Sequence, residues 1–451
     1  MLLLSFTVRN HKSIRDELVL DLTKPTLRTL RPRSGTRWAE HVYPLAGIFG
    51  ANASGKSALL DAFSYAFAAV RRSATSWQEK PVMMRAPFLL DDESADAPSG
   101  YVFDFVHDDR RYVYGFEVDA EGVAREWLRD VPSTRWRTLL DRDRAAGRTK
   151  LHPDLRPIGD VTARELVLSR AMLLRHPQLS PVALGLVDAY DAMSVRETHR
   201  ERRLASITDS LVNGSITFDD IVTLLQVADI GVDHVDVQED ALPARVQEVV
   251  RSIKELFEGN VGKGAEEADT SEAKPTLLFE GVLGEEGSDA VVRNLLFTHR
   301  GGGANPPPPF PLHAESDGTI AWLALVVPAL EALRRGGLYC VDEIDSSLHP
   351  HLLEVLLGLF ADPELNGRGA QLIFTSHESY VLSPLSDVTL EPEQVWFTDK
   401  SPEGVTLLTC LADFPRHRDA NVAKRYLTGR YGGTPRLAPS ALARVLAPGA
   451  A

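Results

Sequence analysis

The octapeptide Gly50-Ala51-Asn52-Ala53-Ser54-Gly55-Lys56-Ser57 limits what this chain can fold into more than any other stretch. It follows the apolar run Tyr43-Pro44-Leu45-Ala46-Gly47-Ile48-Phe49 and precedes the helix-like run Ala58-Leu59-Leu60-Asp61-Ala62-Phe63. Strand, glycine-rich turn and helix, in that order, is the context in which this pattern forms a phosphate cradle. The glycines permit close backbone approach. Successive N–H groups surround the phosphates, and the start of the helix favours negative charge. Gly50, Asn52, Ala53, Ser54 and Gly55 are therefore expected to line the cradle. Lys56 is expected to contact the β- and γ-phosphates of ATP, and Ser57 to ligate Mg²⁺.

The second half of the chain supplies groups for hydrolysis. Leu338-Tyr339-Cys340-Val341-Asp342-Glu343 reads as an apolar strand ending in two carboxylates. Asp342 is placed to hold the metal directly or through water, and Glu343 to polarise the attacking water as general base. Glu315-Ser316-Asp317-Gly318-Thr319 stands just before a helix over residues 320–334. Ser316, Gly318 and that helix start form a second candidate phosphate surface. Thr375-Ser376-His377-Glu378 ends another strand, where His377 can reach the γ-phosphate or the attacking water, because this fold class gathers strand ends.

At 451 residues the chain is long enough for a large core and more than one domain. A net charge of -14 argues against general nucleic-acid affinity but leaves room for a local basic patch. Arg31, Arg33 and Arg37 are the candidate, with solvated charge as the default reading. Two cysteines, Cys340 and Cys410, lack metal-ligand spacing and fit a reduced, cytoplasmic setting. Met1-Leu2-Leu3-Leu4 is too short for an export signal, and residues 320–333 are too short to span a bilayer, so no membrane partner is expected.

Residues 2–9, 17–22, 101–105, 112–118 and 123–128 read as strands, with Asp119-Ala120-Glu121-Gly122 as a turn. Residues 162–174, 181–193, 218–229 and 244–256 have helical periodicity. Residues 260–274 read as a solvated linker, and residues 301–309 as an irregular loop with four prolines. The expected organisation is an N-terminal lobe over 1–129, a mainly helical insertion over 130–275, a C-terminal lobe over 276–435 and a frayed tail over 436–451.

These motifs together resemble the ABC-type branch of the P-loop ATPases, close to bacterial AAA-family proteins of abortive-infection and restriction-associated systems. Overcoming-lysogenization-type proteins and SMC or recombination heads share the branch. Asn10-His11-Lys12-Ser13-Ile14 resembles the family's opening motif, and Glu315-Ser316-Asp317-Gly318-Thr319 its signature. Asp342-Glu343-Ile344-Asp345-Ser346-Ser347-Leu348-His349-Pro350 resembles its Walker B and D-loop, and Ser376-His377 its switch histidine. The stretches 394–400 and 424–432 also look typical. A Q-loop glutamine is missing, with Pro87-Phe88-Leu89-Leu90-Asp91 in its region.

The resemblance implies an α/β fold: a P-loop NTPase with an ABC-type ATPase head, combining a mixed sheet with antiparallel N-terminal strands and carrying a helical insertion. It implies head-to-tail homo-oligomers in which Ser316 and Gly318 approach the γ-phosphate held by Lys56 of another protomer, with Asp345 near the seam. It further implies a separately encoded nuclease-like effector of the Toprim type and a phage protein as a candidate trigger. A DNA-maintenance ATPase and an ATP-locked scaffold are the alternative readings, the first with DNA as a partner.

Overall fold

The computed structural model describes residues 1–80, 82–194, 207, 211, 214, 216–228, 231–241, 291–301, 308–311, 314–346, 348–415 and 421–434. The chain divides into two compact units, residues 1–195 with 328–451, and residues 196–327.

The first unit begins with β1 (Leu2–Arg9), β2 (Leu18–Asp21) and β3 (Leu45–Phe49), followed by α1 (Lys56–Arg72) and the short α2 (Asp92–Asp96). Then come β4 (Ser99–His107), β5 (Arg110–Val118), β6 (Val123–Asp130), β7 (Arg137–Asp143) and β8 (Arg148–Leu151). Two helices, α3 (Val167–Leu173) and α4 (Leu179–Val187), lead to β9 (Tyr190–Ser194). The second unit holds α5 (Phe218–Val227), β10 (Val232–Ala241), β11 (Val291–His299), β12 (Phe310–Pro311) and the first part of α6 (Asp317–Arg335). The first unit resumes with β13 (Leu338–Asp342), α7 (Pro350–Ala361), β14 (Gln371–Ser376), β15 (Val395–Lys400), β16 (Thr406–Cys410) and α8 (Val422–Leu427).

Two sheets build the first unit. One is antiparallel, in the order β2-β1-β4-β5-β6-β7-β8. Strand β2 and most of β4 alternate buried and open positions, as a half-covered sheet requires. In β1 the alternation slips, so that Leu3 and Leu4 are both buried, and a register shift between Leu3 and Ser5 accounts for it. The other sheet has the order β16-β15-β3-β14-β13-β9. All its pairings are parallel except the β15–β16 hairpin. Every residue of β3 and β14 is buried, the pattern of central strands covered on both faces.

Helix α1 lies between the sheets because it is apolar on more than one side. Phe63 stacks on Phe6 of the antiparallel sheet, with ring centroids 3.9 Å apart. Phe67 stacks on Tyr190 of the parallel sheet at the same distance. Gln371 ties the sheets together by polar contacts, accepting from Leu3 N–H (2.6 Å) and donating to the Leu3 carbonyl (2.8 Å). Such pairing satisfies buried backbone groups that would otherwise be costly.

In the second unit, Thr217 caps α5 and Asp220 returns a bond to the Thr217 N–H, a capping box. Ile221, Leu225, Val235, Phe297 and Trp322 are buried, and the Trp322 indole donates to the Leu224 carbonyl (2.7 Å).

The expected organisation needs correction around residue 130. Residues 137–143 and 148–151 are strands β7 and β8, which continue the N-terminal sheet. Their charged, short-range pattern hides the strands, and pairing with β6 overrides it. The helix expected over 181–193 stops at Val187, and Tyr190–Ser194 becomes a parallel edge strand beside β13. The segment that follows residue 196 contains strands as well as helix. The expected helix over 244–256, linker over 260–274 and tail over 436–451 lie outside the described residues.

Candidate active site

Parallel pairing assembles the site. Phe49 at the end of β3 is opposite Ser376 on one side and Phe397 on the other, and β13 lies beyond β14. The carboxyl ends of four parallel strands thereby converge, each followed by one of the chemical segments.

The phosphate loop leaves β3 at Gly50. Ala53 (φ 62°) and Gly55 (φ 112°) turn left-handed, which aims the loop into α1. A Cβ at Gly55 would lie 2.0 Å from Thr406 Oγ1, and one at Gly50 would lie 2.3 Å from Thr398 Oγ1. These glycines are therefore required by the hairpin behind the loop as well as by any phosphate in front of it. The same two threonines brace the loop. Thr398 Oγ1 bonds Ser54 Oγ (2.6 Å), and Thr406 Oγ1 donates to the Ser54 carbonyl (3.1 Å). Ser13 of the opening motif joins them through its hydroxyl, 2.8 Å from that of Thr406.

Lys56 is buried at the head of α1 and donates to the carbonyls of Gly50 (2.6 Å) and Ala51 (3.1 Å). Its Nζ also lies 3.2 Å from His377 Nδ1. Burial lowers its pKa to about 8, against the opposing pull of the carboxylates Asp342, Glu343 and Asp345. An ammonium held at this poise gains strongly from an incoming anion.

Asp342 and Glu343 are fixed by one buried hydroxyl. Thr375 Oγ1 donates to Asp342 Oδ1 (2.6 Å) and accepts from the Glu343 N–H (2.7 Å). Glu343 adopts φ 55°, a left-handed conformation that non-glycine residues rarely take, and this turns its carboxylate back over the cleft. Its Oε1 stands 3.5 Å from His377 Nε2. The His377 N–H donates to Asp345 Oδ2 (3.3 Å), while Asp345 Oδ1 is buried without a hydrogen-bond partner.

A cleft of about 660 Å³ is lined by the phosphate loop, Lys56 and Ser57, with Glu343, Asp345, His377, Ser13 and Lys400 around it. The structure thus brings together the sequence-predicted Asn52, Ala53, Ser54, Gly55, Lys56, Ser57, Glu343 and His377. Gly50 leads into the loop, and Asp342 lies directly behind Glu343. Ser316 and Gly318 belong to the second unit. There Ser316 caps α6, accepting from the Thr319 N–H (3.1 Å). Pro87 to Asp91 do not line the cleft; the Phe88 N–H donates to Asn10 Oδ1 (2.8 Å).

The reading from sequence passed over Lys400, Thr398 and Thr406 as site residues. The alternation of the β15–β16 hairpin could have placed them, but only once β15 was known to pair with β3.

The hard oxygen donors present, Ser57, Asp342 and Asp345 with its orphaned oxygen, fit a Mg²⁺ ion. Among the described residues no group of three or more His, Cys, Asp or Glu is arranged to hold a metal alone.

A P-loop ATPase of mixed α/β architecture is the class that this fold and site define. Residues 45–383 match the family described as "AAA domain, putative AbiEii toxin, Type IV TA system", and the chain belongs to that family. It is an ATP-binding and hydrolysing AAA domain of a kind linked to toxin and antiphage systems. No curated protein matches the chain. Among solved structures, it is similar to an Smc head bound to the C-winged helix domain of ScpA. Identity there is 13%, over 91% of this chain and 97% of that one, with a TM-score of 0.43. A second Smc head, with an extended coiled coil and bound to the C-terminal domain of ScpA derived from Pyrococcus furiosus, gives 13%, 91%, 96% and 0.37. Among the described residues no helix is long and apolar enough to cross a membrane.

Proposed function

We propose that the chain is a Mg²⁺-dependent ATPase of antiphage defence that assembles with itself through shared ATP sites and controls a separate nuclease-like effector. One observation carries the catalytic part. Lys56, His377 and Glu343 form a continuous chain of contacts at one cleft, 3.2 Å and 3.5 Å apart, beside a phosphate loop.

In this reading the loop N–H groups from Asn52 to Ser57 hold the β- and γ-phosphates, and Lys56 exchanges its carbonyl contacts for phosphate oxygens. Bound Mg²⁺ would supply charge neutralisation, held by Ser57 and Asp342. Glu343 accepts the proton of the attacking water, and His377 orients Glu343 and the γ-phosphate. Ser316 and Gly318 act in trans: Ser316 Oγ already takes the Thr319 N–H, and the other N–H groups of that helix start are the ones that face an anion. Family membership supports the defence setting; the Toprim-type effector and a phage-protein trigger rest on the resemblance of the motifs.

The test is turnover and binding in Glu343→Gln. Loss of about 10²-fold or more in turnover with ATP binding kept is expected for a lost general base. Wild-type turnover in that variant removes Glu343 from this role. Co-purification with a nuclease-like neighbour in the presence of ATP tests the effector. A DNA-stimulated homodimer without such a partner would favour chromosome maintenance instead.

A further inference from the structure

Away from the phosphate loop, the end of the antiparallel sheet carries a second open groove, of about 980 Å³. One wall is the loop of residues 28–38. The other is the β6–β7 turn, with Ser133 and Thr134, and the β4–β5 turn, with Asp109. Antiparallel pairing puts both turns at the same end of the sheet. The Leu30 carbonyl accepts from Arg111 (3.5 Å) and the Asp109 carbonyl from the Trp38 indole (3.3 Å), which anchor the loop there.

The charges at this end fall into two sets. Arg111 pairs with Asp104, and Arg110 and Arg137 pair with the buried Asp130. The rim is different. Among the described residues Arg28, Arg33 and Arg135 have no carboxylate partner, and the hydroxyls of Ser34, Ser133 and Thr134 make no hydrogen bond. Among the described residues, only Arg31 of the lining arginines is matched, by Asp109 at 3.4 Å. The lining thus sets Arg28, Arg31 and Arg33 against a single carboxylate, in a chain of net charge -14. Trp136, in the same turn as Ser133 and Thr134, is 38% exposed. The Arg111 guanidinium lies 5.4 Å from its ring centroid.

We infer that this groove binds the phosphodiester backbone of a single-stranded nucleic acid. Unpaired guanidiniums and free hydroxyls are the groups that contact backbone phosphates. An exposed tryptophan beside them provides a stacking surface for a base, the combination that single-strand sites use. An acidic overall charge argues against a diffuse basic surface, so the attraction has to come from a local patch such as this rim. The inference is independent of the ATP-site chemistry.

The experiment is fluorescence anisotropy of the full chain with labelled oligothymidine, the matching RNA strand and a duplex, across a salt series. Binding of a single strand is expected to weaken linearly on a log–log salt plot. Arg28→Glu with Arg33→Glu should lower single-strand affinity at least tenfold and flatten the slope by about 1.4, about 0.7 for each lost phosphate contact. Asp109→Asn should tighten binding, a gain that misfolding cannot mimic. Turnover of ATP without nucleic acid should stay at the wild-type level in all of these variants. The stronger of the DNA and RNA strands names the natural sugar. The inference falls if no strand binds, if the double variant binds as wild type does, or if duplex binds more tightly than either strand. It also falls if polyglutamate displaces the strand at equal charge concentration.

Discussion

Lys56 shows how one side chain couples proton and nucleotide. Its pKa of about 8 is set first by burial, with three carboxylates pulling the other way. The charged form is the one that binds phosphate, so bound ATP raises the pKa. Above pH 8 the free site has lost its proton and must regain it on binding. Affinity for ATP should therefore fall as pH rises through 8, by up to about tenfold per unit. Calorimetry in buffers of different ionisation enthalpy should detect proton uptake near pH 8.5, and Lys56→Met should show neither effect. Thr375 is the second informative residue. Its hydroxyl holds both Asp342 and the strained Glu343 backbone. Thr375→Val keeps the shape but orphans the Glu343 N–H, at a cost of about 1–3 kcal/mol. Thermal melting should show that loss, and turnover should fall further than ATP binding if Glu343 is the general base, because it then loses its position.

At the scale of elements, α6 carries a test of the shared site. Ser316 has an ordinary structural duty as a helix cap, and Ser316→Ala should cost about 1 kcal/mol for that reason alone. Aspartate caps a helix as well as serine does, yet places a negative charge where the proposal puts phosphate. Ser316→Asp should therefore melt like wild type and lose turnover. If it turns over normally, Ser316 is a cap and nothing more. Elements also show what the sequence could and could not disclose. The strand, loop and helix over residues 45–72 were legible because a local pattern of glycines, lysine and apolar spacing defines them. So were the helix at 317–335 and the strand at 371–376, which are apolar runs with clear ends. β7, with Arg137, Asp141, Arg142 and Asp143, was not legible, since its strand state comes from pairing with β6. β9 was hidden for the same reason, as its partner β13 lies far along the chain. The contacts that shape the site, Thr398 and Thr406 on the loop and Thr375 on Asp342, are likewise long-range. Local motifs mark the candidate reacting groups, whereas the hydroxyls that brace them come from strands far apart in the chain.

For the whole molecule the decisive property is whether one chain is a complete enzyme. The cleft of the first unit holds Lys56, Ser57, Glu343 and His377, while Ser316 and Gly318 lie in the second unit. If the signature acts on the phosphate loop of another protomer, turnover per chain should rise with protein concentration until assembly saturates. Glu343→Gln should accumulate the ATP-bound oligomer in mass photometry, because assembly proceeds and hydrolysis does not. Lys56→Ala should stay in the smaller state. Mixing two dead variants makes the sharper case. Ser316→Asp retains a sound phosphate loop, and Lys56→Ala retains a sound signature. A mixed head-to-tail dimer then contains one intact composite site and one doubly damaged site. An equal mixture should recover about a quarter of wild-type turnover if the chains pair at random in head-to-tail dimers, and up to about a half if Lys56→Ala pairs only with the other variant. Recovery is impossible if each chain builds its site from its own residues, since neither variant then owns a complete one. Turnover that stays at zero in a mixture shown by mass photometry to exchange subunits would assign the whole reaction to the single chain.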